Sequence, residues 1–285
     1  MYLKLLVKHP TKIAESPYWD YRLSELFWID CAEKTIHRFN YHKQHFVYSL
    51  FQDIGCIVPT DNPFIILAAL QNCYGFFDIR TQRFKCLGYL ETEYPENRFN
   101  DGICDSKNRF FFGSMCPSTL SSPQAAVYRL EGSQCIKILD GFYTVNGMAF
   151  SPDETIFYVS DSHPNVQTIW AFNYNSFSGE LSNRTIFFFF FYILGRPDGA
   201  TIDEKGGYWI SCIDGSQIIR LLPGGVVDEV IKVPIDSPTK VAFGGKDLKT
   251  LFITSKSSSK NYSKMLYSVK LRIKGLKVKF FKHKN

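Results

Sequence analysis

The sequence predicts an all-β chain folded as a six-bladed β-propeller, and two observations carry that expectation. Short apolar and aromatic runs alternate with Gly, Pro, Asp and Asn clusters along the chain, with almost no sustained 3.6-residue periodicity. One phrase also recurs: a small residue, two or three apolar positions, an acidic turn, then an aromatic-rich strand.

Taken in order, the copies are SPYWDYRLSELFWID from Ser16, GCIVPTDNPFIILAA from Gly55 and GICDSKNRFFFGS from Gly102. GMAFSPDETIFYVSD from Gly147, GATIDEKGGYWIS from Gly199 and VAFGGKDLKTLFITS from Val241 complete the series. The first two are the weakest. Their starts are 39, 47, 45, 52 and 42 residues apart, a length that suits one four-stranded blade. Within the phrases Asp105–Asn108, Ser151–Glu154 and Asp203–Gly206 supply the Asx, Pro and Gly chemistry of tight reversals, so a hairpin is expected at each. A pair of β-sandwiches shares the short strands but gives no reason for six similar periods. The aromatic run Phe187–Tyr192 reads as a strand buried on both faces, in preference to an apolar loop at the mouth of the ring.

Composition narrows the class. With 285 residues, 45% apolar and 21% charged, the chain is neither disordered nor fibrous, and a single propeller domain over residues 1–285 is expected. The formal charge of +6 is local: ten Lys and Arg and no acid fall between Thr254 and Asn285, which leaves 23 basic against 27 acidic residues before them. No nucleic-acid partner is therefore expected, and the basic C-terminal segment, residues 256–285, reads as a solvated face. Eight scattered cysteines form no CxxC pair, the N-terminus carries no evident signal peptide, and the longest apolar run, Ile186–Leu194, is nine residues. A cytoplasmic, reducing setting with free thiols and no membrane span is expected.

The residues just before each phrase share one register: Glu15, Ile54, Asp101, Asn146, Asp198 and Lys240. Equivalent positions on successive blades face the central channel, so the oxygen-bearing members converge there. Buried carboxylates repel one another unless a cation or protons offset them, and a metal is the economical resolution. Oxygen donors without His or Cys suit a hard divalent ion, calcium or magnesium, while manganese and zinc also bind such sites. Any one of these residues alone reads as a turn or cap residue; the shared register is what sets them apart.

Several stretches resemble the SMP-30/gluconolactonase/LRE family, which takes in regucalcin and bacterial sugar lactonases. They are ESPYWD (15–20), LFWIDCAEKTIHRF (26–39), NRFNDGICDSKNRFFFGSM (97–115), VNGMAFSPDETIFYVSDS (145–162), GELSNR (179–184), RPDGATIDEKGGYWIS (196–211) and VAFGGKDLKTLFITS (241–255). The resemblance implies a six-bladed propeller with one divalent metal, calcium first, in the central channel. Glu15, Asn146 and Asp198 fall on the family's metal ligands, and Asp198 also on its proposed catalytic base. Arg98 and Asn100 of RFNDG fall on substrate-binding positions, with Asp101 supporting that loop as part of the substrate-binding set. Two features depart from the family: Cys116–Gln124 has no acid where some members place a substrate-contacting Glu, and the end of the chain is short and basic.

The expected function is metal-dependent hydrolysis of a sugar lactone, an aldonolactone such as gluconolactone or arabinonolactone, to its acid. A non-catalytic calcium-binding or interaction protein on the same scaffold is the alternative. A Ser/His/Asp site finds no support: there is no GxSxG, and His9, His37, His42, His45, His163 and His283 lie outside the register. Of these, only His163 lies beside a matched stretch without falling inside one of them or far from all.

Overall fold

Six four-stranded antiparallel sheets follow one another along the chain, and their innermost strands touch in a closed cycle around one axis. The structure, a computed structural model, describes residues 2–116, 122–257 and 263–283. The innermost strands of blades 1 to 6 are Ala14–Asp20, Ile54–Pro59, Arg98–Cys104, Val145–Phe150, Arg196–Ile202 and Ser237–Gly244. Each of the six repeated phrases covers an innermost strand and the strand beside it. The reversals expected at Asp105, Ser151 and Asp203 all join first to second strands.

Ring closure does not follow chain order. The N-terminal strand Leu3–Thr11 pairs antiparallel with Ser263–Lys270 and becomes the outermost strand of blade 6, so the last blade is stitched from both ends of the chain. Six apolar clusters, each shared by two adjacent blades, form the core. Trp28, Phe110, Phe112, Phe157 and Trp209 are among the fully buried rings that fill these seams. Burial of large aromatic side chains between twisted sheets is the main stabilising term here.

Two expectations are corrected. The aromatic run is not a strand buried on both faces: Phe187–Phe189 end the outermost strand of blade 4 (Glu180–Phe189), and Phe190–Tyr192 form a 3₁₀ turn. An outermost strand has no neighbour beyond it, so Phe187, Phe188 and Phe190 pack inward while Phe189, Phe191 and Tyr192 are exposed. Nor is the basic C-terminal segment simply a solvated face. After completing blade 6 it runs back under the ring as a strap. Glu204 N donates to Lys274 O at 3.0 Å on blade 5, and Phe281 N donates to Pro59 O at 3.0 Å on blade 2. Leu271, Leu276, Val278 and Phe281 pack against the blades, while Lys274 and Lys279 reach solvent and pair with Glu204 and Glu154. Residues 117–121, which lie within the stretch lacking an acid, and 258–262 and 284–285 of the basic segment fall outside the described residues.

Candidate active site at the channel axis

All six register residues lie on innermost strands, and every one of those strands departs from regular pairing at that point. The irregularities fall between Glu15 and Tyr18, Ile54 and Cys56, Phe99 and Gly102, Asn146 and Ala149, Pro197 and Ala200, and Pro238 and Val241. Bulges re-aim side chains that regular pleating would send into the seams. Ser16 and Gly147, which directly follow Glu15 and Asn146, have φ of 50° and 61°. Ser16 holds this uncommon conformation through its hydroxyl, which accepts from Ile57 N at 2.9 Å on the next blade.

Of the three expected metal ligands, Asn146 and Asp198, from blades 4 and 5, are hydrogen-bonded to each other, and Glu15, from blade 1, is near enough for its charge to act on Asp198. Asn146 Nδ2 donates to Asp198 Oδ1 at 2.5 Å and to Ser162 Oγ at 2.9 Å. Ser162 in turn donates to Pro197 O, which fixes the amide against the strand carrying Asp198. Glu15 Oε2 accepts from Ser16 N at 2.6 Å. All three side chains are buried. Burial pushes Glu15 up to about 7, and Asp101 adds to the rise, while Lys240, the Ser16 N–H and Arg98 oppose it. Burial, then the charges of Glu15 and Asp101, hold Asp198 well above the usual carboxyl range against Arg196 and the Asn146 amide. Two carboxylates that resist ionisation side by side are what an oxygen-ligated cation would relieve.

This donor set fits such a cation. Both described side-chain hydrogen bonds of Asn146 use its nitrogen, so its carbonyl oxygen is the atom that could face a cation. Among the described residues no cluster of three His, Cys, Asp or Glu side chains has metal-binding geometry. Three protein ligands would leave a hard cation positions for other oxygen donors.

Arg98 and Asn100 stand half-buried on blade 3. Arg98 Nη1 donates to Asn100 Oδ1 at 3.1 Å and to Phe99 O at 2.9 Å, and Asn100 Nδ2 donates to Val145 O at 3.0 Å, next to Asn146. The pair therefore forms one preset polar unit on the ligand side. Asp101 is otherwise engaged: Gly102 N and Met148 N donate to it at 2.8 and 2.9 Å, and Lys240 Nζ ion-pairs with it. His163 stacks on Tyr143, with ring centroids 4.2 Å apart, and takes no hydrogen bond from the register residues. Arg196 and Ser162 were not singled out by the sequence reading. Arg196 Nη1 donates to Ser162 O at 3.1 Å and its other nitrogen to Asp214 at 2.7 Å, so it braces the strand that carries Asp198.

A closed ring of six four-stranded blades with buried carboxylates and an amide at its axis is a six-bladed β-propeller with a polar channel. Residues 13–257 match the SMP-30/gluconolactonase/LRE-like region, and the chain belongs to that family. It is 32% identical over 262 residues to the 6-deoxy-6-sulfogluconolactonase of Pseudomonas putida, covering 91% of this chain and 88% of that one. To the regucalcin of Danio rerio it is 30% identical over 257 residues, 89% and 86% of the two chains. Among solved structures, a luciferin-regenerating enzyme superposes with a TM-score of 0.90 at 24% identity, covering 99% of each chain. A regucalcin from Agrobacterium tumefaciens gives 0.91 at 20% identity, covering 97% and 96%. Both share the propeller fold.

All eight cysteines are unpaired, and among the described residues no helix is long and apolar enough to cross a membrane.

Proposed function

We propose that this protein hydrolyses a sugar lactone, an aldonolactone, with one divalent cation, calcium first, held by Glu15, Asn146 and Asp198. The observation that carries the reading is the hydrogen bond between buried Asn146 and Asp198, with buried Glu15 near enough for its charge to act on Asp198 and the Arg98–Asn100 pair anchored to the strand of Asn146. When bound, such a cation supplies Lewis-acid polarisation of a carbonyl oxygen and acidifies water.

The chain's own residues supply the rest. Arg98 and Asn100 present charged and amide donors to the hydroxyls of the lactone and orient its ring. Asp198 takes the proton of the attacking water as that oxygen bonds to the carbonyl carbon. The ring C–O bond then breaks, and the proton held at Asp198 passes to the departing ring oxygen, which becomes the hydroxyl of the open aldonic acid. Arg196 and Ser162 keep Asp198 and Asn146 in place through these proton movements.

A panel of pentono- and hexonolactones, assayed with calcium, magnesium, manganese or zinc and then with chelator, tests the reading. Turnover that disappears on chelation and in Asp198→Ala, with the variant still folded, is expected. Cation binding without turnover of any lactone supports the non-catalytic alternative, and full activity in Asp198→Ala refutes the mechanism.

A further inference from the structure

Lys240 is the sixth member of the register and the only cation in it. It stands on blade 6 and its partner Asp101 on blade 3, so in the cycle of six blades the pair spans the channel from one side to the other. The reach is built into the backbone. A Cβ on Gly199 would lie 2.4 Å from Lys240 Cβ and 2.3 Å from its Cγ, so the glycine next to Asp198 is the gap through which the lysine stem passes. Lys240 is 7% exposed and Asp101 3% exposed. Below the pair the channel holds an apolar cavity of about 130 Å³, floored by Leu276–Lys279 of the C-terminal strap; of the six register residues only Lys240 lines it.

The charges at the axis give this bar a role. Three carboxylates face the channel, those of Glu15, Asp101 and Asp198, and a site built from all three would present a net charge of −3. The Lys240 ammonium cancels Asp101 and also acts on Glu15. What remains for a cation is two carboxylates and one neutral amide, a charge that matches a dication.

From this geometry we infer that Lys240 is a built-in cation that withdraws Asp101 from the cation shell, sets the affinity of the Glu15–Asn146–Asp198 site, and tunes it to divalent rather than trivalent ions. The inference rests on the reading of those three residues as cation ligands. Lys240 is a positioning residue: it acts on the ligands through charge and through Asp101, with no contact to substrate required. Against the burial that pushes it down, Asp101 and Glu15 hold its ammonium above the usual lysine range, so it stays charged at neutral pH.

The test is calorimetry of calcium and terbium binding to the full chain at neutral pH. Lys240→Met should tighten calcium at least about tenfold and terbium more than calcium, because the freed Asp101 adds one negative charge to the site. The double variant Lys240→Met/Asp101→Asn removes both charges and should return both affinities close to wild type. Lys240→Gln keeps a donor for Asp101 while removing the charge, so it repeats the experiment if the methionine variant fails to fold.

Unchanged or weaker calcium affinity in folded Lys240→Met and Lys240→Gln overturns the inference, as does a double variant that stays as tight as the single one. A wild type that binds neither ion overturns the ligand reading instead. Melting in chelator still reads the bar in that case. Lys240→Met should then melt roughly 5–10 °C lower than wild type and the double variant should recover most of the loss; no loss overturns the bar as well.

Discussion

In chelator the protein should become less stable as pH rises from 5 to 7.5, opposite to the ordinary response of carboxylates held low by their partners. The perturbation is chelation followed by a pH series. Glu15 has an ordinary value near 4.5 and is pushed up to about 7 in the fold, chiefly by burial. Between those values the folded state keeps a proton that the unfolded chain has already released. The stability this proton represents is fully present below 4.5, falls as pH rises through 7, and is absent above it. At 1.36 kcal/mol per pH unit the difference is about 3 kcal/mol, or roughly 6–12 °C in melting temperature. Melting of wild type against Glu15→Gln, both in chelator, reads Glu15 together with the effect of its charge on Asp198. Carboxyls such as Asp214 and Asp153, held low by hydrogen bonds that overcome their burial, contribute equally to both proteins and cancel. Calcium at pH 7.5 should restore the loss in wild type, and its apparent affinity should fall at least about tenfold per pH unit below 7, because the cation displaces the proton of Glu15 and competes with protonation of Asp198 as well. Parallel curves for the two proteins, within about 1 kcal/mol across the range, would refute the account of Glu15.

Three further outcomes are expected. Arg98→Ala should raise KM about tenfold or more with a smaller change in kcat, the loss of a charged hydrogen-bond donor to substrate; a fall in kcat at constant KM in steady-state assays argues against a grip on the hydroxyls. Gly199→Ala should lower the melting temperature and shift calcium affinity as Lys240→Met does, because the added methyl displaces the lysine stem; wild-type values in both measurements would show that the stem has room to spare. Phe281→Ala should cost about 3–5 kcal/mol in denaturant unfolding, since the ring is 1% exposed between blades 2 and 3, whereas a cost under about 0.5 kcal/mol would mark the strap as an ordinary surface segment.

The six inner strands were legible because each repeats the same local problem. A strand must bulge at the axis, continue into an apolar seam and then reverse, so a small or bulge-tolerant residue, an apolar pair and an acidic turn recur together. The converging residues were legible for the same reason, since register is a local property. Contacts across the ring were not. Nothing near Lys240 in the chain announces that its side chain passes over Gly199 to Asp101, 139 residues away. Asp101 read as support for the substrate loop, and nothing in the sequence signals that its carboxylate also holds Lys240 and the backbone of blade 4. The outer strands were the least legible. Phe187–Tyr192 is apolar enough to suggest full burial, yet its place at the rim of blade 4 leaves half its rings exposed. In the C-terminal strap frequent lysines masked the spaced apolar residues Leu271, Leu276, Val278 and Phe281 that hold it under the ring.

The placement of polar and apolar groups also explains how the chain keeps repelling carboxylates at its axis. The seams are filled by aromatic and aliphatic side chains that, Ile54 apart, owe nothing to the register residues, and the ends of the chain are locked together in blade 6. Stability therefore resides in the seams, while the unfavourable electrostatics are confined to the bulges that interrupt the inner strands. A neutral substitution at Glu15 or Asp198 removes a buried charge without opening a seam, so loss of cation binding should be separable from loss of fold at those positions. At Lys240 the tighter cation binding should come with lower stability in chelator, because its stem lines the cavity above the strap and its charge answers Asp101 at the same time. The axis thus contains two kinds of polar residue, those whose charge the fold tolerates and one whose charge the fold uses.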